Sequence, residues 1–172
     1  VGLLDRACSS HAQKPAFSNM GRTLSYAEFD ALTRRFAAWL QSLPGVVPGE
    51  RVAIMLPNVL QYPVVLFGVW RAGLVVVNVN PLYTPRELEH QLKDSGAEAI
   101  IVLENFATTV QQVMGKTALK HVIVGSMGDL LGFKGVIVNL VVRKVKKMVP
   151  AWSIPRAVAF NDALAAGRGM KL

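Results

Sequence analysis

The sequence predicts an α/β fold: a mostly parallel, doubly wound sheet with helices on both faces. Four short apolar runs, at 51–56, 74–77, 99–103 and 121–124, are each bounded by turn residues, as strands buried on both faces are. They alternate with helical segments at 59–71, 85–95 and 106–114, and that alternation builds a parallel sheet through right-handed crossovers. At 172 residues, 52% hydrophobic and 17% charged, the chain has the apolar content to bury one core and is not a disordered segment.

The elements can be justified in order. A short N-terminal helix carries Cys8, a small apolar filler with nothing beside it to activate a thiol. Pro15 to Asn19, a Gly21-Arg22 turn and Thr23-Leu24 read as a hairpin. Ser25-Tyr26-Ala27-Glu28 has the capping-box form, and Phe29, Leu32, Phe36, Trp39 and Leu40 recur at helical spacing until Pro44-Gly45 ends the helix. The 19 residues from Val52 to Trp70 carry no charge, yet Pro57, Asn58, Gln61 and Pro63 interrupt them. A membrane-spanning helix is therefore rejected in favour of a strand, a turn and a helix capped by Asn58. Thr84-Pro85-Arg86-Glu87 supplies a cap, a proline at the first helical position and a reciprocal carboxylate, and Gly96 closes that helix. Arg86, Glu89, His90 and Lys93 fall on its exposed face as solvated charge.

Other readings are excluded by residue counts. One cysteine precludes an intramolecular disulfide, and His11, His90 and His121 are scattered without metal-ligand spacing. Asp5 and Arg6 inside the first apolar stretch argue against a signal peptide. Neither G-x-G-x-x-G nor G-x-x-x-x-G-K-[ST] is present, and the glycine cluster at 125–134 reads as a loop.

The formal net charge of +8 is concentrated late, with 8 basic and 1 acidic side chains in residues 130–172. If 136–149 is helical, Ile137, Val138, Val141, Val142, Val145, Met148 and Val149 share one face, opposite Asn139, Arg143, Lys146 and Lys147. Such a basic amphipathic helix suits an anionic membrane surface, with Arg143, Lys144, Lys146 and Lys147 as the contacting cations. The alternatives are packing of the valine face on the protein's own core or on further chain, or partial strand, which β-branched residues favour. Nucleic acid is not an expected partner, because the basic run lacks interleaved aromatics.

The stretches Pro57-Asn58-Val59-Leu60-Gln61-Tyr62-Pro63, Arg71-Ala72-Gly73 and Val75-Val76-Val77-Asn78-Val79-Asn80-Pro81-Leu82-Tyr83-Thr84-Pro85-Arg86-Glu87-Leu88-Glu89-His90-Gln91-Leu92 resemble the N-terminal region of bacterial long-chain fatty-acid–CoA ligases, of the adenylate-forming superfamily. The similarity runs from about Lys14 through His121-Val122-Ile123-Val124 and Met127-Gly128-Asp129 to Val149-Pro150. The resemblance implies a two-step ligase. ATP and a long-chain fatty acid, with Mg2+, give an acyl-adenylate and pyrophosphate, and coenzyme A then takes the acyl group.

The resemblance also implies that residues 1–172 are the N-terminal part of a large N-terminal domain, with the phosphate-binding loop and the C-terminal domain expected beyond Leu172. No catalytic residue and no metal ligand is then expected in this chain, and the piece alone is expected to be inactive, since phosphoryl chemistry needs charge preorganised around the phosphates. The expected partners are the fatty acid and the remaining chain of the same enzyme, and apolar surface left open on a fragment would favour a homodimer. The expected location is cytoplasmic, with a peripheral seat on the membrane face as the variant that the basic segment suggests. The loop after the strand at Val77 lies where open α/β sheets present ligands, making Asn80, Tyr83 and Thr84 candidates for lining a substrate or partner surface. The competing reading is that Asn and Pro shape a turn there and Thr84 caps a helix. A non-catalytic acyl- or membrane-binding module using 136–149 is the alternative function.

Overall fold

The computed structural model describes residues 2–172. It opens with helix α1 (Gly2–Ser10), an antiparallel hairpin of β1 (Pro15–Asn19) and β2 (Arg22–Ser25), and α2 (Tyr26–Gln41). There follow β3 (Arg51–Met55), α3 (Gln61–Arg71), β4 (Val75–Asn78), α4 (Pro85–Ser95), β5 (Ala99–Leu103), α5 (Ala107–Val113), β6 (His121–Gly125), α6 (Phe133–Leu140), β7 (Val158–Ala159) and α7 (Phe160–Ala166).

Strands β4-β3-β5-β6-β7 form one sheet in that order, and every neighbouring pair is parallel. Side chains along a strand alternate between faces. Val52 and Ile54 of β3, and Ala99, Ile101 and Leu103 of β5, join one core, while Ala53, Met55, Ile100 and Val102 join the other. Both faces are therefore apolar, which is why these strands read as continuous hydrophobic runs. On the first face α2 packs against α1, α3 and α7; on the second α4 packs against α5. This is the doubly wound α/β arrangement that the alternation predicts.

Local chemistry sets the helix starts. Ser25 Oγ accepts from the Glu28 N–H at 3.2 Å while Glu28 Oε2 accepts from the Ser25 N–H at 2.9 Å, the reciprocal pair of a capping box. Thr84 and Glu87 repeat the arrangement at α4, with Pro85 in its first turn and Gly96 at φ 65° past its end. In α2, Thr33 and Phe36 meet Gly68 of α3, where a Cβ would stand 2.8 Å from the Phe36 ring, so only glycine allows the two helices this close. The Arg71 guanidinium, buried between the helices, pairs with Asp5 and Asp30 and ties α1, α2 and α3 together.

Several expectations need correction. The hairpin turns at Met20-Gly21, both at positive φ, so Arg22 belongs to β2 and pairs with Asn19. Asn58 does not cap α3. That helix starts at Gln61 after Leu60, with no side-chain cap, and the Asn58 carbonyl accepts from Asn19 Nδ2 at 3.0 Å. Pro63 fits because it lies in the first turn, where no intrahelical N–H is needed. The helix expected at 106–114 is present as α5, with a tight turn at Glu104–Phe106 leading into it and another at Met114–Lys116 following it. The short β7 and α7 were not anticipated. The basic segment departs furthest: α6 begins at Phe133, inside the stretch read as loop, and gives way to a wide π-turn at Val141–Val145, in which Lys146 N–H donates to the Val141 carbonyl at 2.8 Å.

Candidate functional site

The sheet order sets where a site can form. From β3 the chain moves to β4 on one side and returns past β3 to β5 on the other, so the carboxyl ends of β3 and β5 flank a switch point, the place where open α/β sheets bind ligands. The register aligns Ile54 with Asn78, Met55 with Val102 and Leu103 with Gly125. The residues that leave these strands therefore share one edge.

A polar cluster occupies that edge. Glu104, buried at the end of β5, receives the Arg143 guanidinium through Nε at 2.9 Å and Nη2 at 2.8 Å. Arg143 Nη2 also donates to Ser126 Oγ at 2.8 Å. The Ser126 N–H donates to Asp129 Oδ2 at 2.7 Å, and Asn161 Nδ2 to Asp129 Oδ1 at 2.9 Å. Burial pushes the Asp129 carboxyl above its usual range, against the lowering effect of the Ser126 N–H, and the nearby Glu104 adds to the rise. Gln61 Nε2 donates to the Ser126 carbonyl at 2.7 Å, while its buried Oε1 has no partner. Sequence reasoning missed this cluster, because nothing local to Glu104, Ser126 or Asp129 announces partners so distant in sequence.

These carboxylates are already engaged by protein donors. Among the described residues no group of three or more His, Cys, Asp or Glu side chains is placed to hold a metal ion. No catalytic step is assigned to the cluster.

The expected loop residues have local partners. Asn80 Oδ1 accepts from the Leu82 N–H at 3.0 Å, an Asx turn, and Thr84 Oγ1 is engaged with Glu87 in the α4 cap. Tyr83 is half-buried against the second core. Leu82, at the tip, is 79% exposed. Elsewhere a cleft of about 410 Å³ opens between α1, the hairpin and α3, lined by Leu3, Phe17, Tyr26, Phe67 and Trp70 among others.

The cations of the basic segment divide. Arg143 is held by Glu104 and Ser126, whereas Lys144, Lys146 and Lys147 are exposed. Among the described residues no helix is long and apolar enough to cross a membrane.

Residues 4–151 match the family model described as AMP-binding enzyme. This chain belongs to the AMP-binding enzyme family. It is 52% identical over 172 residues to a long-chain-fatty-acid–CoA ligase of Salmonella typhimurium, covering 99% of this chain and 31% of that protein. It is also 52% identical over 169 residues to the enzyme of that name from Haemophilus influenzae, covering 98% and 30%. Among solved structures, a benzoate CoA ligase from Burkholderia xenovorans superposes with a TM-score of 0.73 at 26% identity, over 96% of this chain and 28% of that one. This AMP-binding family chain thus spans under a third of the length of the relatives it matches. Its fold is shared with the benzoate CoA ligase over nearly the whole of this chain.

Proposed function

We propose that this chain is the N-terminal part of an ATP-dependent, AMP-forming long-chain fatty-acid–CoA ligase, which converts a fatty acid, ATP and coenzyme A to acyl-CoA, AMP and pyrophosphate. The observation that carries this reading is the 52% identity to a long-chain-fatty-acid–CoA ligase along 99% of the chain. Chemistry gives the reaction its order. A carboxylate is a poor electrophile, and a mixed anhydride with phosphate supplies a good leaving group before the thiol attacks.

In this proposal the 172 residues are scaffold. Groups that bind ATP, Mg2+ and coenzyme A belong to the rest of the longer protein, and the chain alone is inactive. The loop at 78–84 faces the substrate or the remaining chain through Leu82 and Tyr83, while Asn80 and Thr84 hold its shape. The enzyme works in the cytoplasm.

The test is a product assay on the full open reading frame. With oleate, ATP, Mg2+ and coenzyme A, the longer protein should form oleoyl-CoA and AMP in equal amounts. Formation of ADP, or no acyl-CoA with any long-chain acid, would overturn the proposal.

A further inference from the structure

The segment after the glycine-rich loop buries Val142 and packs Val138 on the first core, yet leaves much of its apolar surface to solvent. Two of its polar side chains reach the protein: Asn139 Oδ1 accepts from the Gly128 N–H at 2.7 Å, and Arg143 bonds Glu104 and Ser126. Six of its apolar side chains face solvent. Phe133 is 82% exposed, Val136 67%, Ile137 53%, Leu140 58%, Val145 72% and Met148 51%. Phe133, Val136, Ile137 and Leu140 follow helical spacing and form one stripe. Of the fourteen large apolar side chains that the described residues leave exposed, these six fall within sixteen positions. A surface helix left to water does not present so large an apolar stripe, so this one calls for a partner.

The charge around the stripe identifies that partner. Lys134, Lys144, Lys146 and Lys147 are exposed beside it, and no acidic residue occurs between Asp129 and Asp162. A shallow depression lined by Val136, Asn139, Leu140, Arg143 and Lys144 sets the free Lys144 directly against the apolar side chains. Two anchors hold the element in this pose. Gly128 and Gly135 touch backbone to backbone, leaving no room for a Cβ on either, and the Arg143 to Glu104 pair fixes the far end. The π-turn at Val141–Val145 keeps Val142 buried and lets the half-exposed Arg143 reach Glu104, while Lys144 and Val145 turn out.

We propose that residues 133–148 form an interfacial anchor that lays Phe133, Val136, Ile137, Leu140 and Val145 into the acyl region of an anionic lipid bilayer, with Lys134, Lys144, Lys146 and Lys147 at its headgroups. Arg143 is the internal strut of this device and not one of its lipid contacts. The proposal rests on the exposed stripe and its charge, independently of the ligase reading. The competing occupant is the remaining chain of the longer protein.

The test uses the longer protein and the 172-residue chain, each sedimented with vesicles of phosphatidylcholine alone or mixed with phosphatidylglycerol. Both proteins should pellet with the anionic vesicles and stay largely in solution with the neutral ones. Ile137→Gln with Leu140→Gln should abolish pelleting. Lys144→Glu with Lys146→Glu and Lys147→Glu should lower it about tenfold or more. These positions are exposed, so unchanged circular dichroism and melting serve as folding controls. Equal pelleting with both lipids, or no loss in either variant, overturns the proposal. A further arm addresses the competing occupant: Ile137→Cys in the longer protein should react with a water-soluble maleimide without vesicles and be protected by anionic ones. Protection without vesicles would show that the remaining chain covers the stripe, and would also overturn it.

Discussion

The Arg143 guanidinium stands 2.8 Å from the carboxylate of Glu104, a residue 39 positions earlier that lies buried at the end of β5. This contact pins the basic segment to the carboxyl edge of the sheet and determines which of its sides meets solvent. Removing one partner leaves a buried charge without its counter-ion. Arg143→Met should therefore destabilise the chain by about 2 kcal/mol in urea unfolding, discounted from a fully buried pair because Arg143 is half exposed. Glu104→Leu combined with Arg143→Met should recover most of the loss. Additive losses in the double variant would contradict this account.

The glycine pair in the same region yields a second prediction. A Cβ on Gly128 or Gly135 would overlap the backbone of the other. Gly135→Ala should cost about 1–3 kcal/mol, the usual range for overpacking. Its effect should be local, with faster hydrogen exchange over 133–145 and unchanged protection in β5 and β6.

At the start of α2, Ser25→Ala should cost about 1 kcal/mol, as loss of an N-cap does. The bond from the Ser25 N–H, then that from Arg22, holds the Glu28 carboxyl below its usual value of 4.5. A lowered folded-state pKa stabilises above the unfolded value and is lost as pH falls through the folded one. The wild-type advantage over Glu28→Gln should therefore be complete at neutral pH and fade only below 4.5.

Asp129 has the opposite sign. Burial raises its carboxyl above 3.8, so the folded state takes up a proton before the unfolded chain does. The penalty is fully present at neutral pH, is relieved as pH falls through the raised value, and is gone below 3.8. Relative to Asp129→Asn, wild type should gain stability on acidification through that window, as measured by urea midpoints at stepped pH. A difference that stays flat would contradict the burial argument.

Legibility of the sequence followed the distance between partners. Both capping boxes were readable because Ser25 with Glu28, and Thr84 with Glu87, lie three residues apart. The parallel sheet was readable because Val52 to Met55 and Ala99 to Leu103 are apolar on both faces. The amphipathic character of the basic segment is legible, but which of its valines pack on the core and which stay in solvent is not. That orientation depends on Gly128, 11 residues before Asn139, and on Glu104, 39 before Arg143, and on a π-turn that helical periodicity does not encode. Thr84 and Asn80 were proposed for a ligand surface on their position after a strand. The geometry shows each engaged in local turn and cap bonds that the same residue types equally announce. The two-residue strand β7 exists only by pairing with Ile123 and Val124 of β6, so no local pattern marks it.

The central claim, that these residues are the non-catalytic N-terminal part of an acyl-CoA ligase, is tested most directly by fatty-acid-dependent release of pyrophosphate from ATP. The 172-residue chain and the product of the full open reading frame should be assayed side by side. Release by the longer protein, with none above background from the shorter chain, is the predicted result. Release by the 172-residue chain alone, or by neither protein, would contradict it.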